Sequence, residues 1–262
     1  MREAHESLAG RLRQRVDLVR VLVEKELELR YRGTSLGVLW SLANPLAFAL
    51  VLHVAFRVVY RVPIAHYPVF ILSALFPWQW LTTSIGAAPL LFFSNAPLLK
   101  KLRFPTSSLC LAVVLGDLVH FLATLPVLVA LVLITGGGGL SARWLVGIPL
   151  LVAVQATLTL GIVLVLASAN VFFRDLDPLV RVVMSLLFYL TPVVYPVTLL
   201  PESLHFTLYL NPFAPLMVAW RSLVLEGAIS PWIGVAAAQA ALALTLALGV
   251  HRRRASLVAE LV

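Results

Sequence analysis

The sequence has 262 residues, of which 61% are hydrophobic and 12% are charged, whereas soluble domains carry roughly 25% charged residues. This composition excludes an ordinary water-soluble enzyme and indicates an integral membrane protein. The net charge of +8 could indicate a nucleic-acid partner, but the positions of the basic residues along the chain favour another explanation. The single cysteine, Cys110, lies in an apolar run, so a disulfide and a cysteine metal site within one chain are excluded.

Residues 1–33 are crowded with charge and contain no apolar core of a secretory signal, so we expect the amino terminus to stay in the cytoplasm. Apolar residues recur there at helical spacing, at Leu12, Val16, Val19, Val23 and Leu27. This pattern predicts an amphipathic helix on the cytoplasmic surface, which either only anchors the chain or also binds a partner subunit. Three oppositely charged i,i+4 pairs would support it: Arg20/Glu24, Glu26/Arg30 and Glu28/Arg32.

The rest of the chain consists of long apolar runs. A helix rising about 1.5 Å per residue needs about 20 apolar residues to cross a hydrocarbon core of about 30 Å. The runs predict six spans, at about 36–59, 69–93, 109–135, 144–173, 178–195 and 233–250. The predicted fold is an all-α integral membrane protein with an interface helix at 1–35 and a transmembrane domain at 36–262.

Most of the 20 basic residues fall in segments on one side of this topology, namely 1–35, 95–108, 172–181 and 251–262. The positive-inside rule places these segments and both termini in the cytoplasm. Anionic lipid of the inner leaflet, rather than nucleic acid, is then the expected neighbour of the positive charge.

The stretch "NAPLLKKLRFPTSS", residues 95–108, joins spans two and three. It carries Lys100, Lys101 and Arg103 between Pro97 and Pro105, which predicts a short, firm cytoplasmic helix. Outside the membrane, the glycine run 136–139 lacks the Gly-Lys-Ser/Thr ending of a phosphate-binding loop, so we interpret it as a flexible turn.

Few ionisable residues lie inside the predicted spans. Asp117 and His120 are one helical turn apart in span three, either as a structural pair that satisfies itself or as a proton-carrying site. His53 and Gln155 are expected to form hydrogen bonds between helices. The sequence contains no P-loop, nucleophile elbow or zinc-protease helix, so we expect no enzymatic activity, cofactor or metal site in this chain.

Several prolines in the second half of the chain mark the predicted starts and breaks of helices. Asp177 and Pro178 have the form of an N-cap and a first-turn proline that begin span five. Segment 196–232 is apolar but broken by Pro196, Pro201, Pro212 and Pro215, which predicts two short re-entrant helices that enter from the outer side. Such a segment would line or cover a pathway.

Aromatic residues are frequent in or near the spans: Trp40, Phe48, Phe56, Trp78, Trp80, Phe188, Tyr189 and Tyr195. Most are expected to face lipid or to pack in the core. A minority facing a lumen would offer flat surfaces on which sugar rings can stack and slide.

Several motifs carry a family resemblance: "RYRGTSLGVLWSLANPL", "FPWQW", "SNAPLLKKLRFP", "FRDLDPLV", "FYLTPVVYPVTLLPE" and "LNPFAPLMVAWRSLVLEG". In order and spacing, from Arg30 to Gly227, they resemble the membrane subunit of ABC-2 type polysaccharide exporters. That family moves lipid-linked O-antigen, teichoic acid, capsule or related glycans across the bacterial inner membrane. Trp80 stands where the family more often has phenylalanine, and Thr106 where a charged residue commonly follows the proline, which leaves the substrate subtype open.

The resemblance implies a homodimer of six-helix subunits with two copies of a separate subunit that binds and hydrolyses Mg-ATP. The residues that would contact this ATPase are Arg30, Tyr31, Arg32, Lys100, Lys101, Arg103, Phe104 and Pro105. Spans one and five would line a glycan channel through Trp40, Phe48, Phe56, Phe188, Tyr189 and Tyr195. The residues that would close its outer end are Pro196, Pro201, Asn211, Pro212 and Pro215.

Three alternatives remain at this stage. The chain could belong to another ABC-2 exporter that handles drugs or small lipids. It could be an autonomous transporter driven by protons through Asp117 and His120. A membrane-embedded glycan-processing enzyme ranks last, because the sequence lacks paired carboxylates at a plausible site.

Overall fold

The computed structural model describes residues 8–33, 37, 39–59, 61, 65–101, 104–173 and 175–261, and over these residues the fold is entirely helical. The described part contains these α-helices: α1 (Leu8–Tyr31), α2 (Leu39–His53), α3 (Tyr67–Ala87), α4 (Leu91–Ser94), α5 (Ala96–Lys101), α6 (Ser107–Thr135), α7 (Trp144–Asn170), α8 (Leu176–Leu190), α9 (Thr207–Leu210), α10 (Ala214–Glu226) and α11 (Trp232–Leu261). A π-helical turn (Val54–Val59) continues α2, and two 3₁₀ turns precede α9 at Val197–Leu199 and Glu202–Leu204.

Within the described residues, four helices are long and apolar enough to cross a membrane: α3, α6, α7 and the Trp232–His251 part of α11. They confirm predicted spans two, three, four and six as helices. Predicted spans one and five correspond to α2 and α8, which have 15 residues each. The length of the apolar runs therefore identified the four long spans. The two shorter helices differ from the predicted spans, because α2 is followed by a π-helical turn and α8 ends at the turn that contains Pro192.

Helix α3 forms the centre of the fold, with α2, α6, α7, α8 and α10 packed around it. Gln155 of α7 donates its side-chain N–H to the carbonyl of Pro77 in α3, at 2.7 Å. This confirms the predicted hydrogen bond between helices. The expected bond of His53 is not observed at its Nδ1, which is buried without a partner among the described residues.

Helices α7 and α11 also pack tightly along each other. A Cβ at Gly161 would lie 2.9 Å from the backbone of Ala243, so this crossing requires a residue without a side chain. Helix α11 continues to Leu261, well beyond the predicted end of span six. His251 fixes it near the membrane boundary, because its ring nitrogens are hydrogen-bonded to Thr106 (3.2 Å) and Ser168 (3.0 Å).

Helix α1 forms as predicted, and its predicted apolar stripe is buried in part. Val23 packs against the core and Val19 and Leu27 are half-buried, whereas Val16 is exposed; among the described side chains of the helix the most buried is Leu22, which lies outside the stripe. The reason is that α1 packs against α6 rather than only lying on a surface. Of its predicted ion pairs, Arg20/Glu24 forms at 2.9 Å and Glu26/Arg30 at 3.8 Å.

The start of α8 differs from the prediction. The helix begins at Leu176, so Asp175 occupies the N-cap position and Asp177 lies inside the first turn. Asp177 instead accepts a 2.6 Å hydrogen bond from Arg181, one turn further along. Pro178 is tolerated there because the first backbone N–H groups of a helix have no intrahelical acceptor.

We call the proline-rich segment 196–232, together with the turn after α8, the outer segment, after its predicted side of the membrane. Where two short re-entrant helices are predicted, it contains the four-residue helix α9 and the thirteen-residue helix α10, preceded by two 3₁₀ turns; the re-entrant course stays a prediction. Pro196 and Pro201 stand immediately before the two 3₁₀ turns, and Pro215 lies in the first turn of α10. Pro212 separates α9 from α10. The prolines thus begin helical turns, and buried Leu216, Met217 and Trp220 hold α10 against the core.

Candidate functional site

An aromatic cleft of about 290 Å³ opens between α2, α3 and α8. We define the aromatic cleft by the residues that line it: Phe48, Leu75, Trp78, Gln79, Thr82, Met184, Ser185, Phe188 and Tyr189. Three of the six predicted channel residues, Phe48, Phe188 and Tyr189, are brought together here. Trp78 was among the aromatics noted in the sequence but not in the predicted channel set, because it lies on α3.

Phe188 is the centre of the aromatic cluster. Its ring centroid lies 5.8 Å from Phe48 and from Trp78, and 5.2 Å from Tyr189. These separations and tilted orientations are typical of favourable aromatic pairs. The rings therefore support one another in a fixed arrangement, while Tyr189 stays largely exposed.

The polar groups of the aromatic cleft are uncharged. The hydroxyl of Thr82 donates to the carbonyl of Trp78, at 3.0 Å, and Ser185 donates to the carbonyl of Arg181, at 2.9 Å. Both hydroxyl oxygens keep acceptor capacity for a ligand. The lining contains no carboxylate, histidine, lysine or cysteine, and the described residues contain no cluster of three potential metal ligands. The cleft is suited to contact and orientation rather than to covalent chemistry.

The other predicted channel residues are placed differently. The side chains of Trp40 and Phe56 lie outside the described part of the structure. Tyr195 lies beyond the end of α8, where its backbone carbonyl accepts a hydrogen bond from Arg221 of α10, at 3.2 Å. Tyr195 is therefore part of the outer segment rather than of the aromatic cleft.

Arg221 organises the outer segment. A second bond from its guanidinium reaches the carbonyl of Val193, at 2.7 Å, and the group stacks 3.8 Å over the ring of Phe70. Asn211, a predicted gate residue, donates to the hydroxyl of Thr191 at 2.8 Å. The turn after α8 is thus fixed from two sides. Sequence reasoning missed Arg221, although a lone arginine in the apolar run "MVAWRSLVL" was a usable signal.

The glycine run packs against the end of α10. The N–H of Gly139 donates to the carbonyl of Val224, at 3.1 Å. A Cβ on Gly139 would lie 2.4 Å from the backbone nitrogen of Gly227. The glycines here permit a close approach of two backbones, a role that the flexible-turn interpretation did not include.

A second cleft, of about 430 Å³, lies between α1 and the connection from α3 to α6. The charge distribution predicts that this connection faces the cytoplasm. We define the basic cleft by its lining: Lys25, Ser94, Asn95, Pro97, Leu98 and Lys101. Lys25 of α1 donates to the side-chain oxygen of Asn95, at 2.8 Å. The predicted short helix between Pro97 and Pro105 is present as α5.

Of the predicted coupling residues in the connection from α3 to α6, only some lie at the basic cleft. Lys101 lines the basic cleft, and Lys100 is exposed beside it. Phe104 is half-buried against the core, whereas Pro105 is exposed. Arg103 lies outside the described residues.

The predicted coupling residues of α1 contact the transmembrane helices. Arg30 donates to Asp117 of α6 at 2.6 Å, and Tyr31 is hydrogen-bonded to His120 of α6 at 2.6 Å. Arg32 remains exposed. Burial is the largest single influence and disfavours the guanidinium charge, but the attraction and hydrogen bond of Asp117, together with the attraction of Glu26 and Tyr31, outweigh it and raise the pKa of Arg30.

The interpretation of Asp117 and His120 as a mutually satisfied pair is therefore wrong. Each side chain is bound by a different residue of α1, which the spacing within α6 could not reveal. Asp117 also accepts a hydrogen bond from Ser84 of α3, at 2.7 Å.

Comparison with known proteins gives consistent matches. The sequence matches the ABC-2 type transporter family over residues 17–225. It is 38% identical over 214 residues to the O-antigen export system permease protein RfbA of Klebsiella pneumoniae, covering 82% of each chain. It is 37% identical over 211 residues to the protein of the same name from Myxococcus xanthus, covering 78% of this chain and 79% of the relative. The family match spans both clefts and nearly all of α10.

Proposed function

The chain belongs to the ABC-2 type transporter family, and from this premise we propose that it is the membrane permease subunit of an exporter of O-antigen-type polysaccharide. The polymer would be lipid-linked and would cross the bacterial inner membrane. A separate subunit would bind Mg-ATP and supply the energy of hydrolysis.

The uncharged aromatic cleft is the observation that carries this proposal. Aromatic rings at 5 to 6 Å spacing present flat apolar surfaces, and Gln79, Thr82 and Ser185 add neutral hydrogen-bonding groups. Sugar rings combine an apolar C–H face with hydroxyl edges, so they fit such a lining. Weak, repeated contacts of this kind would let a polymer slide without being held at one strong site.

A channel for a polymer requires more surface than one chain provides. The outer faces of α2 and α8 carry exposed apolar residues, including Leu50, Val51, Leu186 and Leu190. We infer that a second copy of the chain covers part of these faces in a homodimer, so that two aromatic clefts border one channel.

The six-span topology belongs to the same proposal. From Leu39 to Val59, α2 and its π-helical continuation extend about 31 Å at about 1.5 Å per residue, enough for the hydrocarbon core. Helix α8 extends about 22 Å by the same measure and needs the turn that follows it to complete a span. The basic segments then lie in the cytoplasm with both termini.

Energy would enter at the basic cleft. Its lysines and the exposed Lys100 offer positive charge to acidic groups of an ATP-binding subunit. Helix α5 is joined to α6 through Pro105 and Thr106, so a displacement of α5 would move a membrane-spanning helix. At the other side of the membrane, α10 and the turns before it would act as the outer gate.

The structure disfavours the proton-driven alternative. Asp117 is paired with Arg30, a group that stays charged at physiological pH. Both oxygens of Asp117 already accept hydrogen bonds, from Arg30 and from Ser84, so this carboxylate holds helices together in a way that a shuttling proton would interrupt.

Deletion of this gene in the bacterium that encodes it tests the proposed function. We expect polysaccharide to disappear from the cell surface and lipid-linked polymer to accumulate inside, with restoration by a plasmid copy. Unchanged surface polysaccharide, together with increased sensitivity to drugs, would instead support the drug-exporter alternative.

A further inference from the structure

The contact between α1 and α6 is built around a buried carboxylate. Asp117 is 2% exposed, and its two oxygens have separate partners. Arg30 of α1 binds Oδ1 at 2.6 Å, and Ser84 of α3 donates to Oδ2 at 2.7 Å. One side chain of α6 therefore connects α1 with α3.

A second contact lies one turn further along α6. Tyr31 and His120 are hydrogen-bonded at 2.6 Å, and their rings meet edge to face with centroids 5.2 Å apart. Together, the Arg30–Asp117 and Tyr31–His120 contacts form what we call the α1 clamp. Two adjacent contacts fix the position and the rotation of the end of α1.

Helix α1 is also held at a second place. Lys25 binds Asn95, the residue immediately before α5. The helix thus bridges the cytoplasmic connection at one point and the interior of α3 and α6 at another. Among the described helices, α1 thus both lines the basic cleft and hydrogen-bonds Asp117.

Stability alone does not explain a charge pair at this place. A buried ion pair is often no more stabilising than apolar residues of similar volume, because both charges lose hydration. A charge-assisted hydrogen bond in a low-dielectric environment is, however, stronger and more directional than a neutral one. Such a contact suits an element that must transmit displacement without slipping.

On the basis of the proposed function, we propose that Arg30 and Asp117 are positioning residues that transmit movement of α1 to α3 and α6 during the ATP-driven cycle. Neither residue touches the substrate in this proposal. They act through the helices that carry the aromatic cleft and the gate, since α3 contributes Trp78 and Gln79 to the cleft.

The central experiment compares two double variants of the permease, each produced with its ATP-binding subunit. Arg30→Gln/Asp117→Asn keeps a neutral hydrogen-bonding pair but removes both charges. Arg20→Gln/Glu24→Gln removes an exposed pair of the same helix and is the matched control. Assembly is measured by gel filtration, ATP hydrolysis on the purified complex, and export as surface polysaccharide in the encoding bacterium.

We expect the clamp variant to assemble and to hydrolyse ATP like the wild type, while export falls about 2- to 30-fold, the range typical of coupling mutations. The control should match the wild type in all three measurements. Wild-type export by an assembled clamp variant would overturn the inference, because a purely structural pair is replaceable by a neutral one.

A second variant decides the outcome if the clamp variant does not assemble. Arg30→Lys keeps the charge balance but loses the planar fork of the guanidinium. We expect it to assemble with reduced export per ATP hydrolysed, and a wild-type ratio would reject the clamp as a transmission contact. A wild-type complex that exports no polysaccharide would reject the proposed function itself, which is a distinguishable result.

Discussion

Trp220 of α10 donates its indole N–H to the side-chain oxygen of Gln155 in α7, at 2.8 Å, while the same amide donates to Pro77 of α3. One fully buried glutamine therefore joins three helices. Because α10 belongs to the proposed gate and α3 to the aromatic cleft, this amide sets their relative position.

Replacing Gln155 with leucine should destabilise the protein. The change leaves the buried Trp220 N–H without its acceptor, at a cost of about 1–3 kcal/mol, and removes the added bond to the Pro77 carbonyl. The measurement is thermal unfolding of the purified permease in detergent. Thr157→Val is the control, because Thr157 is only half-buried and its hydroxyl bonds within α7, to the carbonyl of Ala153. Equal melting temperatures for the two variants would contradict the prediction.

Replacing Phe188 with alanine should reduce export while ATP hydrolysis continues. The change removes one aromatic face from the cleft, and a single aromatic contact is worth about 0.5–1.5 kcal/mol beyond its area, so we expect a loss of roughly 2- to 13-fold. Surface polysaccharide and hydrolysis by the complex are measured together. Phe188→Tyr should restore most export, since it keeps the ring. A failure of tyrosine to rescue would indicate that packing volume, not the aromatic face, matters here.

Replacing Arg221 with methionine should loosen the outer segment. The carbonyls of Val193 and Tyr195 lose their shared donor, and buried acceptors without partners cost about 1–3 kcal/mol each. Limited proteolysis and thermal unfolding measure the effect. Arg143→Met, at an exposed position, should behave like the wild type. Unchanged protease resistance in the Arg221 variant would remove this arginine from the organisation of the gate.

Replacing Lys100, Lys101 and Arg103 with alanine should weaken binding of the ATP-binding subunit. The expected reason is loss of positive charge at and beside the basic cleft. Co-purification of the two subunits measures the effect. Because these residues also direct topology, membrane insertion must first be checked by the accessibility of a cysteine introduced in the outer loop. Normal co-purification by a correctly inserted variant would exclude these charges from the interface.

Much of the fold could be predicted because it depends on local patterns. The length of apolar runs identified α3, α6, α7 and α11, since crossing a hydrocarbon core sets a minimum number of residues. Helical periodicity identified α1, and the basic stretch between Pro97 and Pro105 identified α5, although α5 begins at Ala96 and contains Pro97. Gln155 was recognised as a partner between helices because a buried amide must find one.

The site was less predictable, because its contacts join residues that are far apart in the sequence. Arg30 and Asp117 are separated by 87 positions, and the spacing within α6 instead suggested a pair with His120. Likewise, Phe188 was a predicted channel residue, but its contact with Trp78 depends on the position of α8 beside α3. Which side chains of two helices meet depends on how each helix is rotated and placed, and the apolar pattern of one helix does not determine this.

The sequence by itself determined the membrane class, the long spans and the family resemblance, because hydrophobic length and motif order are properties of the chain. Only the tertiary structure decided which partners the buried polar groups take. In the tertiary structure Asp117 is hydrogen-bonded to Arg30 of α1, and Arg221 to the turn after α8. The glycine run is hydrogen-bonded to the end of α10. The physical reason is that a buried polar group binds whichever partner packing brings near, and packing is a property of all the helices together.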